Sequence, residues 1–108
     1  MINEVILVGK ILTMPTKILV PNAPYEYKML LEVEKAFKNV NGEFEYDQIS
    51  VVLWHGVGEY LLDVAEVGNI ISIKGRLTSY TYLNDDGIKV TSNQVVCEKV
   101  SFLDRYLR

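Results

Sequence analysis

Apolar and polar side chains alternate along most of this chain, and successive strand residues point to opposite faces of a sheet. Residues 4–12 are apolar on both alternating sets, Val5, Leu7 and Ile11 on one and Ile6, Val8 and Leu12 on the other. This pattern predicts a strand buried on both faces. Pro15, Pro21 and Pro24 predict a loop over 14–24, long and apolar for a solvent-exposed connection. Residues 28–35 alternate with Met29, Leu31 and Val33 inward, and Asn39-Val40-Asn41-Gly42 follows. Asn-Gly favours the positive φ of a tight turn, so a hairpin should lead into a strand over 46–54. Val57, Leu61, Val64 and Ala65 recur at helical spacing, and Gly68 stands where a left-handed C-terminal cap is usual. One short helix is therefore expected over about 57–67, with Gly58 weakening its first turn. Residues 70–78 alternate again, Ile71, Ile73 and Leu77 against Ser72, Lys74 and Arg76. Asn84-Asp85-Asp86-Gly87 is a turn signal joining 79–83 to a last long strand over 88–103.

Three strands, a helix and two strands predict an all-β fold with one short helix, a five-stranded barrel of OB type. A length of 108 residues suits one domain, with the barrel over 1–103 and a short C-terminal end over 104–108. With 49% hydrophobic and 23% charged residues the chain can offset its ordering entropy, which excludes extended disorder. The longest apolar runs, at 5–8 and 51–54, are too short to cross a bilayer, and no leader pattern opens the chain, so a cytoplasmic, nucleoid-associated location is expected. A net charge of -3 argues against a broad basic surface of the kind that grips duplex nucleic acid, so any nucleic-acid site must be local.

Gln48-Ile49-Ser50-Val51-Val52-Leu53-Trp54-His55 carries the clearest chemical signal. Ile49, Val51 and Leu53 can fill a core while Gln48, Ser50, Val52 and Trp54 look outward, and an outward Trp suits a flat ligand. Neither paired carboxylates nor a nucleophile with its base accompanies it, so no enzyme is read here. Cys97 is the only cysteine and His55 the only histidine, which leaves no set of soft ligands for zinc and no cofactor to expect. Cys97 reads as a small core residue, His55 as a strand-end or interface residue, and Glu59, Asp63 and Glu66 as the wet side of the helix.

Asn3-Glu4-Val5-Ile6-Leu7-Val8-Gly9-Lys10, Val51-Val52-Leu53-Trp54, Tyr60-Leu61, Gly68, Ile73-Lys74-Gly75-Arg76-Leu77 and Val95-Val96 stand in an order that resembles the bacterial single-stranded-DNA-binding proteins. The resemblance covers nearly the whole chain. It implies an OB barrel, usually a homotetramer with a dimer as the smaller alternative, that coats single strands in replication, recombination or repair without catalysing anything. Bases would stack on Phe37, Trp54 and Tyr82, with Tyr80 a neighbour on the same face. Lys10, Lys28, Lys35, Lys38, Lys74 and Arg76 would meet phosphates. Gln48 stands where the family has an aromatic residue, and Glu32 and Glu34 stand where it has small or neutral ones, which weakens a DNA groove. Three stacking platforms supply roughly 3–9 kcal/mol before ordering costs, against about 1 kcal/mol for each badly placed carboxylate. Weakened binding is therefore expected, and stacking alone does not exclude RNA.

The resemblance also implies a Gly-, Pro- and Gln-rich tail with an acidic tip, whereas this chain stops at Asp104-Arg105-Tyr106-Leu107-Arg108. Strand coating is implied more firmly than recruitment of repair enzymes. The alternative reading is an OB-fold adaptor of a primosomal, phage or mobile-element replication system that works mainly through protein contacts. The first strand, apolar on both faces, is the expected contact between subunits.

Overall fold

Two hairpin turns are built by the same device. In 39–42 and again in 84–87 an asparagine accepts two backbone N–H groups on its side-chain oxygen, from Asn41 and Glu43 to Asn39 and from Asp86 and Ile88 to Asn84. Each turn closes with a glycine at positive φ, Gly42 at 77° and Gly87 at 74°. The computed structural model describes residues 1–20 and 23–104, and in them these turns join β2 (Tyr27–Glu34) to β3 (Tyr46–Leu53) and β4 (Ile70–Leu83) to β5 (Lys89–Phe102). The remaining elements are β1 (Val5–Lys17) and α1 (His55–Val64). The strands close into an OB-type barrel in the order β1-β2-β3-β5-β4, antiparallel except for the β3–β5 pair. The short C-terminal end expected over 104–108 lies, beyond Asp104, outside the described residues.

Inward parity works as predicted over most of the barrel. Ile11, Leu31, Val51, Leu53, Leu61, Ile71, Ile73 and Cys97 are all fully buried, and α1 closes the barrel through Leu61. Burial pushes the Cys97 thiol up to about 12. The helix packs close because residue 58 is glycine: a Cβ there would lie 2.1 Å from the Tyr27 ring. Gly58, read from the sequence as a weak point, is thus what admits the ring. The Tyr27 hydroxyl donates to Glu59 at 2.5 Å, and that bond pushes the phenol up to about 12.

Several expectations are corrected. β1 is not buried on both faces, since Ile6 and Val8 are exposed. β1 does not stop at residue 12 but runs to Lys17, so the first four residues of the expected 14–24 loop are strand, while Pro21 and Asn22 lie outside the described residues. Register shifts between Ile11 and Thr16 absorb Pro15, and the Thr13 hydroxyl accepts the Leu30 N–H at 3.0 Å where the ladder is interrupted. The helix begins at His55 and ends at Val64, and Ala65 caps it. Gly68, at φ 94°, serves a separate turn into β4, donating to the Ile11 carbonyl. Leu77 keeps inward parity yet is 49% exposed, because β4 has by then run out beyond the core. Val52 faces outward as predicted but is buried, 6% exposed, in a second small apolar cluster with Tyr25 and Val96.

Candidate functional site

That second cluster lies on the outside of the barrel. Val52 of β3 pairs with Val96 of β5, which pairs with Arg76 of β4. The register depends on a bulge: Lys74 pairs with Lys99 but Gly75 with Cys97, so Glu98 is the extra residue. A Cβ on Gly75 would lie 1.8 Å from the Val96 carbonyl oxygen. Ile18 and Tyr25, from the connection between β1 and β2, pack over Val52 and Val96. This contact accounts for Ile18 and Tyr25 in a connection that is apolar for an exposed loop, whereas Leu19 and Val20 stay exposed.

Two adjoining clefts share the connection as a wall, both lined by Ile18, Val20, Ala23, Pro24 and Tyr25. The larger, about 630 Å³, continues over Lys28, Ser50, Val52, Gln94, Tyr80 and Tyr82. The smaller, about 410 Å³, continues over Glu26, Trp54 and His55. Trp54 occupies the position between β3 and α1, 47% exposed, and its ring meets that of Tyr25 in a T-shape at 4.8 Å and 70°. Tyr80 and Tyr82 stack on each other, 5.8 Å apart and inclined by 25°. Arg76 donates to the Tyr25 hydroxyl at 3.4 Å. Glu26 is engaged by Lys17 and His55, whereas among the described residues no carboxylate bridges Lys28 or Arg76. The result is an apolar floor with ring faces on it and two cations at its edge, suited to flat, anionic, flexible ligands.

The structure therefore places Tyr80, Tyr82 and Lys28 in the larger cleft, Trp54 in the adjoining smaller one and Arg76 against the Tyr25 hydroxyl beside them, and leaves the other sequence-predicted residues away from both. Phe37 is 85% exposed in the connection between β2 and β3, beyond the Glu34–Tyr46 end of the pair, while Trp54 follows Leu53 at the opposite end. Seven residue steps of β3, at about 3.3 Å each, separate those ends. Lys35 pairs with Asp47, which raises the amine's pKa, and Lys38 lies 4.8 Å from the centre of the Phe44 ring. Both belong to the Phe37 end. Lys10 is opposite Glu32 on one side and Ile70 on the other. Lys74 pairs with Glu4 at 3.1 Å on the β1 side of the barrel. Glu32 and Gln48 are direct cross-strand partners, so two of the three departures from the family pattern fall on one pair.

Tyr25 was missed by sequence reasoning. Its parity matches Tyr27, which points inward, but a bend at Glu26 turns Tyr25 to the outer face. Asn3 was also passed over: its side-chain amide donates to the Leu77 carbonyl and accepts the Leu77 N–H, at 2.7 and 2.9 Å, extending the β1–β4 pairing beyond Val5.

Residues 2–103 match the single-strand binding protein family. The single-stranded DNA-binding protein of Bacillus cereus is 35% identical over 104 residues, covering 96% of this chain, and this chain spans 61% of its length. Single-stranded DNA-binding protein B of Bacillus subtilis is 29% identical over 104 residues, 96% of this chain and 92% of that protein. Among solved structures, Plasmodium falciparum SSB in complex with ssDNA superimposes with a TM-score of 0.73 at 13% identity, over 96% of this chain and 97% of that one, which shows the shared fold.

Proposed function

This chain belongs to the single-strand binding protein family, and on that premise we propose that it binds single-stranded DNA with little regard to sequence and without catalysing a reaction. Bases stack on Trp54, Tyr80 and Tyr82, Lys28 and Arg76 meet phosphates, and Phe37 extends the path at the far end of the β2–β3 hairpin. Lys10, Lys35, Lys38 and Lys74 add charge along a longer route around the barrel. The observation that carries this reading is the cleft over Val52, adjoining the Trp54 cleft, where the exposed Tyr80 and Tyr82 rings share an apolar floor with Lys28, which no carboxylate bridges among the described residues. Each stacked base contributes about 1–3 kcal/mol whatever its identity, which accounts for sequence tolerance.

Ile6 and Val8 are 65% and 50% exposed on the outer side of β1, an apolar pair that supports assembly through this strand, as a tetramer or a dimer. A cytoplasmic, nucleoid-associated location accords with DNA as the ligand, and among the described residues no helix is long and apolar enough to cross a membrane.

Trp54 is the chain's only tryptophan, so its emission reports the site directly. Titration with oligo-dT at low salt is expected to quench that emission, with affinity falling as salt rises. Unchanged emission together with no complex at low salt would overturn the proposal. Oligo-rU in parallel measures the preference for deoxyribose.

A further inference from the structure

We propose that Tyr25 is the positioning residue of this groove, aiming both Trp54 and Arg76 without itself presenting a ring face to the ligand. The inference rests on the strand-binding reading above. Tyr25 is 8% exposed although it lies outside the barrel core, because Val52, Val96 and Ile18 surround it. Its ring abuts Trp54 edge to face, leaving the indole 47% exposed. That arrangement matches a positive ring edge with a negative ring face, so it favours one orientation of the indole. Its hydroxyl, at the other end of the side chain, accepts the Arg76 guanidinium at 3.4 Å. A single side chain thus connects a base-stacking group to a phosphate-binding group located on a different strand. Tyr25 is also part of the wall shared by the two clefts, together with Ile18, Val20, Ala23 and Pro24, so its position bears on the passage of a strand from Trp54 towards Tyr80 and Tyr82.

The two ends of the side chain are separable by substitution. Tyr25→Leu removes the ring, and it should raise acrylamide quenching of Trp54 in the free protein and weaken oligo-dT binding on the order of fivefold to tenfold. Tyr25→Phe keeps the ring and should restore wild-type quenching. It should still bind about twofold to threefold more weakly, and adding Arg76→Gln should then cost less than it does in the wild type. Wild-type quenching in a folded Tyr25→Leu protein, or strict additivity of Tyr25→Phe with Arg76→Gln, would overturn the proposal. If Tyr25→Leu does not fold, the Phe and Gln cycle decides alone. Because quenching is read without DNA, a wild-type protein that fails to bind oligo-dT would remove the strand-binding reading and, with it, the ligand assigned to the groove, whereas unchanged quenching would remove the role of Tyr25 alone.

Discussion

The barrel carries two apolar clusters on opposite faces of the same strands, and they differ in size and in use. Leu53 and Val51 point into an interior that, among the described residues, buries eight side chains completely, while Val52 between them points out into a cluster of Tyr25, Val96 and the flanking Ile18. The inner cluster is closed by five strands and a helix. Among the described residues the outer one is covered by the connection before β2, and its rim is open. Burial inside holds the barrel together, whereas burial outside shapes a depression whose rings and cations remain accessible. Strand alternation is the same in both, so what separates a stability core from a binding floor is what lies over it.

The sharpest way to break this contrast is to truncate adjacent residues of β3. Leu53→Ala should cost about 2–5 kcal/mol in urea unfolding, and the protein that remains folded should keep its strand affinity. Val52→Ala should cost less stability, about 1–2 kcal/mol, yet change Trp54 emission and weaken oligo-dT binding. Gly58→Ala tests the inner cluster from the helix side: a methyl pressed into the Tyr27 ring should destabilise by about 1–3 kcal/mol with little effect on the groove. Trp54→Ala is the converse, expected to lose about 1–3 kcal/mol of strand affinity, read by anisotropy of a labelled oligonucleotide, while leaving the unfolding midpoint nearly unchanged. At the small end is an effect of pH. Glu59 holds the Tyr27 phenol protonated up to about pH 12, so its contribution to stability is complete below pH 10, the ordinary phenol value. Between pH 10 and pH 12 it should fall away, since the unfolded chain ionises first. Tyr27→Phe should flatten that part of the stability profile, and a profile unchanged by the substitution would show that the bond to Glu59 does not persist in solution.

Period-two alternation was sufficient to place β2, β3 and most of β4 and β5, because burial on one side of a sheet imposes a repeat that local sequence displays directly. The Asn-x-x-Gly turns were equally legible, since an asparagine oxygen facing its own backbone and a glycine at positive φ are local requirements. Pro15 misled because a proline rules out a ladder N–H but does not rule out a strand that bulges, and the bulge depends on the partner Leu30. Of the groove, Trp54, Tyr80 and Tyr82 were readable as outward aromatics, and Lys28 and Arg76 as outward cations. Nothing along the chain separates Arg76 from Lys74 or brings Tyr25 to the outer face. The bulge at Glu98, the bend at Glu26 and the pairing of Lys74 with Glu4 decide those matters. Local sequence determines which side chains can leave the core, because alternation is a property of a single strand. Which of them meet, and over what floor, is decided only when distant segments pack, as Tyr25 does when it crosses from the connection before β2 to cover Val96 and meet the ring of Trp54.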